Sequence, residues 1–174
     1  SIFKFKGAGK AWDSQVSDEY GNYDYLMGAD LDMDHPDVVT ELKNWGVWYT
    51  NFANLDGFRL DAIKHIKKDF FKDWIDQVRR KTDKALFTVG EYWDYDIGTL
   101  QGYLKDTGYR MSLFDAPLHL NFHKASTGSG VYDMGSLLDG TLMQSNPAQA
   151  VTLVENHDTQ PLQALESPVE DWFK

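Results

Sequence analysis

Cysteine is absent from all 174 residues. Its absence removes a disulfide framework, a thiolate zinc site and a cysteine nucleophile together. No apolar run approaches the roughly 18 residues that a bilayer-spanning helix needs, so no membrane partner is expected. Positive charge is scarce as well: 17 Lys and Arg stand against 27 Asp and Glu, a formal net charge of -10. Those basic residues form no stripe, and phosphate backbones demand concentrated Lys and Arg, so no nucleic-acid partner is expected either. What is abundant is apolar and acidic. A hydrophobic share of 42% with 14% aromatics is enough to bury a core of one domain, and the acidic surplus favours cations.

Residues 1–34 are rich in Gly, Asp and Tyr without a sustained period, which reads as irregular or short-stranded chain. The pattern changes at Asp34. Asp34 and Asp37 can cap a helix, Pro36 suits its first turn, and Val38, Leu42, Trp45, Tyr49 and Phe52 form a helical stripe. A strand ending at Asp61 follows, then a helix with Ile66, Phe70, Phe71, Trp74, Ile75 and Val78 on one face. Lys81-Thr82-Asp83 breaks that helix. Leu86 to Val89 reads as a buried strand, Ile97 to Leu104 as an amphipathic helix and Ser112 to Asp115 as a third strand. Ala125 to Gly130 is expected to be a loop, Val131 to Leu142 a weaker helix, Pro147 a breaker and Val151 to Val154 a fourth strand. Strands alternating with helices imply a parallel sheet with helices outside it. A closed eight-stranded barrel takes about 250 residues, so these units amount to about half a (β/α)8 barrel. The chain opens at Ser1 rather than Met and stops inside the helix-like Val169-Glu170-Asp171-Trp172-Phe173, and it is expected to be an internal segment of a larger enzyme.

Three apolar runs end in acids: Gly57-Phe58-Arg59-Leu60-Asp61, Phe87-Thr88-Val89-Gly90-Glu91 and Val151-Thr152-Leu153-Val154-Glu155-Asn156-His157-Asp158. A barrel of parallel strands presents catalytic acids in this way, at its C-terminal mouth. Taken singly, an acid at a strand end is more often a helix cap or a solvated loop residue; three in the same topological place weaken that reading. Arg59 stands two residues before Asp61 and projects from the same strand face, where its fixed charge favours an ionised carboxylate, as a nucleophile requires. Tyr92 and Trp93 follow Glu91, and aromatic walls that desolvate an acid raise its pKa, as a general acid requires. His157 and Asp158 could hydrogen-bond a polar ligand; a catalytic metal there lacks a companion ligand pair and is set aside.

Asp13, Asp24, Asp30, Asp32 and Asp34 gather carboxylates ahead of the first helix. A solvated acidic loop accounts for them as well as a cation site does. An EF-hand register starting at Asp30 fails at His35 and Pro36, where the loop needs Gly and a flexible successor, although calcium accepts six to eight oxygens of the kind present.

At Gly57–His65, Glu91-Tyr92-Trp93 and Val154–Asp158 the chain resembles the alpha-amylase family of glycoside hydrolases, above all its bacterial liquefying members; Gly21–Met27 and Ala125-Ser126-Thr127 extend the likeness. The resemblance implies a partial (β/α)8 TIM barrel, with residues 1–34 the end of an inserted metal-binding domain and residues 35–174 part of the catalytic barrel. It implies Asp61 as nucleophile, Glu91 as general acid/base and Asp158 as the acid that stabilises the distorted sugar, with Arg59, Lys64, His65, Trp93 and His157 lining the cleft. It also implies calcium, with sodium beside it, on Asp13, Asp24, Asp30, Asp32 and the carbonyls of Ala11 and His65, and a second site using the Gly130 and Tyr132 carbonyls. The expected activity is endo-acting, retaining hydrolysis of α-1,4 bonds in starch and maltooligosaccharides by a secreted, extracellular bacterial monomer. A noncatalytic carbohydrate- or calcium-binding module is the alternative.

Overall fold

The computed structural model describes Phe3, residues 14–19 and residues 30–174. The chain forms two compact units, one of residues 1–91 with 106–111 and the other of residues 92–105 with 112–174.

In the first unit, helix α1 (Pro36–Phe52) leads to strand β1 (Gly57–Leu60), helix α2 (Lys68–Thr82) and strand β2 (Phe87–Gly90). Pro36 opens α1 as expected, but the cap is His35, whose ring accepts the Asp37 N–H at 3.3 Å, and not Asp34 or Asp37. Both strands run parallel, with Leu60 opposite Gly90. Helix α2 buries Phe71, Trp74, Ile75 and Val78 of the expected stripe, whereas Ile66 precedes the helix and Phe70 is only half-buried, and it ends where Asp83 turns left-handed at φ 54°. Helix α1 packs on α2 through Gly46, where an added Cβ would lie 2.5 Å from the Trp74 indole. The Trp74 Nε1–H then donates to the Leu42 carbonyl at 2.9 Å. The stripe expected to face the core of α1 is only partly inward. Val38, Gly46 and Thr50 are buried, whereas Trp45, Tyr49 and Phe52 are exposed. Of residues 1–34, positions 1–2, 4–13 and 20–29 lie outside the described residues; Phe3 and Leu31 form an antiparallel bridge.

In the second unit, helix α3 (Ile97–Asp106) precedes strand β3 (Ser112–Phe114), helix α4 (Ala116–Thr127), the short helix α5 (Leu142–Ser145) and strand β4 (Ala150–Val151). β3 and β4 are parallel, with Phe114 opposite Val151. Three expectations fail here. Helix α4 runs through Thr127, so the loop expected from Ala125 begins only at Gly128. The helix expected over Val131 to Leu142 is instead a 3-10 turn, Met134–Ser136, held by Asp133 accepting the Gly135 N–H, and α5 starts at its far end. Gly135 and Gly140 within that stretch explain this, because each costs about 1 kcal/mol in a helix interior. Finally, the fourth strand ends at Val151 and does not reach Val154.

Asp115 organises this unit. Directly after β3 it donates its N–H to the Val151 carbonyl at 2.9 Å, while its buried carboxylate accepts the N–H of Leu118 (3.2 Å), Leu142 (3.2 Å) and Met143 (2.7 Å). One side chain therefore caps the N-termini of both α4 and α5, satisfying donors that a helix leaves unpaired.

Candidate active site

In the first unit the parallel register carries Asp61 and Glu91 out of neighbouring strands at the same level, since Leu60 and Gly90 are partners. The backbone fixes them further. The Glu91 N–H donates to the Leu60 carbonyl at 2.9 Å, and the Ile63 N–H donates to the Glu91 carbonyl at 3.1 Å, so Glu91 is tied to residues on both sides of Asp61. Between them Ala62 takes φ 47° and turns the chain into the 3-10 segment Ile63–His65. A left-handed non-glycine residue costs about 1 kcal/mol or more, which these two backbone bonds offset.

Arg59 joins the acids. Its Nη1 lies 2.5 Å from Asp61 Oδ1 and its Nη2 lies 2.8 Å from Glu91 Oε2. The two carboxyls have opposite environments: the Asp61 side chain is 72% exposed and that of Glu91 only 7%. Burial pushes the Glu91 carboxyl above the usual carboxylate range. The Arg59 guanidinium opposes that shift, and the Asp61 carboxyl adds to it. Glu91 Oε1 is buried without a hydrogen-bond partner among the described residues, a situation that costs about 1–3 kcal/mol.

Lys64 and His65 follow in the 3-10 segment. The Lys64 ammonium pairs with Glu19, and its carbonyl accepts the Ser17 N–H at 2.8 Å. His65 is buried. Of the residues expected to hold metal, Ala11, Asp13 and Asp24 lie outside the described residues. Asp30 and Asp32 are described, and Asp32 Oδ1 accepts the Asp34 N–H at 3.0 Å. Gly130 and Tyr132 sit in the turn after α4, where the Val131 N–H donates to the Gly128 carbonyl. Among the described residues no three His, Asp or Glu side chains gather as a metal group.

The second unit holds Trp93, His157 and Asp158. Trp93 is 7% exposed, packs tilted against the His119 ring at 5.5 Å and donates its Nε1–H to Tyr95 Oη at 3.2 Å. Its neighbour Tyr95 is the exposed ring of that pair, a residue the sequence reading passed over. His157 and Asp158 were expected at a strand end on opposite faces. Instead they lie in a turn, with His157 Nε2 3.4 Å from Asp158 Oδ2. Asn156 builds that turn by accepting the N–H groups of Asp158 (2.9 Å) and Thr159 (3.0 Å) on its side-chain oxygen.

The family model "Alpha amylase, catalytic domain" matches residues 2–166. The chain belongs to the alpha-amylase catalytic-domain family. The alpha-amylase of Geobacillus stearothermophilus is 62% identical over 173 residues, which cover 99% of this chain and 32% of that protein. The cytoplasmic alpha-amylase of Escherichia coli is 50% identical, covering 99% and 35%. Among solved structures, an Anoxybacillus alpha-amylase matches with a TM-score of 0.70 at 24% identity, covering 90% of this chain and 34% of that one. The chain thus spans about a third of the length of the curated relatives it matches. Its four strands and their helices are α/β structure of the alpha-amylase barrel.

Proposed function

We propose that this alpha-amylase segment carries the reacting acids of an endo-acting, retaining α-1,4-glucan hydrolase that acts on starch and maltooligosaccharides. The observation that supports this reading best is the guanidinium of Arg59 held between an exposed Asp61 and a buried Glu91 whose carboxyl is raised. Two carboxyls in contrasting environments divide into a nucleophile and an acid. Glu91, protonated, gives its proton to the glycosidic oxygen as that bond to the anomeric carbon breaks. Asp61 forms the new bond to the same carbon. Water, deprotonated by Glu91, then displaces Asp61 and restores both groups, leaving the anomeric configuration retained. Asp158 is assigned to the distorted sugar, with Arg59, Lys64, His65, Trp93 and His157 around the cleft. Residues 1–34 are assigned to the end of an inserted metal-binding domain and 35–174 to the barrel, in a protein that works as a monomer. A secreted, bacterial setting suits a polymer that cannot cross a membrane, and no helix among the described residues is long and apolar enough to span one.

Calcium, with sodium beside it, is the ion we assign to Ala11, Asp13, Asp24, Asp30, Asp32 and the His65 carbonyl, and a second ion to Gly130 and Tyr132. All of these donors are oxygens, the hard ligands calcium prefers. Such an ion would supply charge that tethers the irregular segment to the chain just after Asp61. Chelation should therefore lower the unfolding temperature by several degrees and restoring calcium should recover it, read by scanning calorimetry; no response to either speaks against the site.

The decisive test is reducing-sugar release from soluble starch by a full-length chimera in which this chain replaces the matching third of the Geobacillus stearothermophilus relative. Asp61→Asn and Glu91→Gln should each lower kcat by about 1000-fold or more while starch retention on affinity gels persists. Near-normal turnover in either variant, or inverted product configuration by NMR, sinks the assignment.

A further inference from the structure

β4 stops at Val151, well before Asp158, so the strand ladder does not hold that acid. The local Asn156 turn shapes the loop but does not anchor it. The anchor comes from α4, through a residue no part of the proposed chemistry uses. His119 is fully buried; its Nδ1 lies 2.7 Å from the Val154 carbonyl on the arm entering the loop, and its Nε2 lies 2.9 Å from Ser167 Oγ on the arm leaving it. The leaving arm is in turn fastened to the acid: the Leu165 N–H donates to the Asp158 carbonyl at 2.9 Å and the Ser167 N–H to the Thr159 carbonyl at 3.0 Å.

We propose that His119 is the positioning residue of the Asp158 loop, clamping both of its arms so that the carboxylate is presented in one place. The proposal rests on the reading of Asp158 as an acid of glucan hydrolysis. A carbonyl only accepts, so Nδ1 carries the proton to Val154 and Nε2 faces the Ser167 hydroxyl. That hydroxyl has one proton and also lies 2.7 Å from the Leu165 carbonyl, which leaves the Val154 bond as the undivided one. The imidazole is itself rigidly placed. It stands one turn into a helix whose first residues are capped by Asp115, the residue bonded to the end of β4, so the position of Asp158 is referred back to the sheet through the helix. One turn further, His123 Nδ1 meets the Pro168 carbonyl at 2.6 Å and Ser126 Oγ accepts the Glu170 N–H at 3.1 Å. These hold the leaving arm alone, which makes His123 the natural control.

His119→Asn keeps a donor near the place of Nδ1 and removes the reach to Ser167; His119→Ala removes both. In the chimera, His119→Asn should lower kcat about 10-fold and His119→Ala about 100-fold, with KM within about twofold, because a misplaced group costs rate rather than binding. In an Asp158→Asn background the same changes should cost less than about twofold, since there is no longer a carboxylate to place. His123→Asn should show no such coupling. Equal losses with and without Asp158, or a KM rise at constant kcat, would overturn the proposal, the latter pointing to Trp93, which packs on His119. Ser167→Ala, a milder cut, serves if the histidine variants fail to fold. Amide hydrogen exchange separates this claim from the functional reading. At Leu165 and Ser167 it should quicken about 10-fold or more in His119→Asn while α2 stays protected, whether or not the wild-type chimera hydrolyses starch. Unchanged exchange at both amides removes the clamp even in an active enzyme.

Discussion

A carboxyl on a side chain that is 7% exposed, sharing one guanidinium with a second carboxyl, stands between opposing effects at Glu91. Burial favours its neutral form and Arg59 its charged form, and burial wins, since the carboxyl is raised. The consequence for stability has a definite sign. A proton that binds the folded state more tightly than the unfolded one stabilises the fold at low pH, and that contribution is lost as pH rises through the raised folded value. Replacing Glu91 with the uncharged Gln should therefore leave stability almost unchanged below the ordinary carboxylate range and increase it above the raised value. Urea midpoints at pH 3 and pH 8 check this; a variant less stable than wild type at pH 8 would mean the Arg59 ion pair outweighs burial. In the proposed role of Glu91 as general acid, the same proton would set the alkaline limb of kcat/KM, which should fall as Glu91 loses it. Stability surrendered for a reactive acid is a common feature of active sites.

Asp115 shows what an element-scale reading must separate. Like Asp61 and Glu91 it is an acid placed directly after a parallel strand, yet its oxygens are taken up by three backbone N–H groups of two helices. Nothing of it remains for a substrate. Asp115→Ala leaves those donors unpaired in a buried place and should cost about 3 kcal/mol or more. Asp115→Asn keeps Oδ1 for Leu118 and Leu142, loses the Met143 bond, and should cost less. Urea unfolding followed by circular dichroism measures both, and a loss under 1 kcal/mol for Ala would contradict the double cap. Helix α4 itself escaped the sequence reading because Pro117 and the following polar residues interrupt the apolar period. Its start is nevertheless marked by Asp115 as cap and Pro117 in the first turn, a signal that could have found it.

At the scale of the molecule, one face of α1 exposes a run of aromatic rings among the described residues. Trp45 stacks on Tyr49, Tyr49 on Trp48 and Trp48 on Phe52, with ring centroids 5.2, 6.1 and 5.0 Å apart, and Trp48 and Phe52 are 55% and 74% exposed. A contiguous apolar patch of this kind promotes association. The 174-residue chain should therefore self-associate, and Trp48→Gln with Phe52→Gln should raise its soluble, monomeric fraction severalfold in light scattering while shifting the unfolding midpoint little. An unchanged fraction would place the association elsewhere.

Local order in the sequence was sufficient for much of this. Apolar periods set α1, α2, α3 and the first three strands, because one face of each must be buried, and the acids at Asp61 and Glu91 follow from where those strands end. Tertiary structure alone decided the rest. It chose which face of α1 is buried, because a glycine at position 46 lets the Trp74 ring approach closely, and it joined Arg59 to Glu91 across two strands. It also brought the Asp115 carboxylate to the distant Leu142 and Met143 amides of α5, and it tied the Asp158 loop to His119 from a distant helix. Each of these is a contact between residues far apart in the chain, and periodicity within a segment carries no record of such partners.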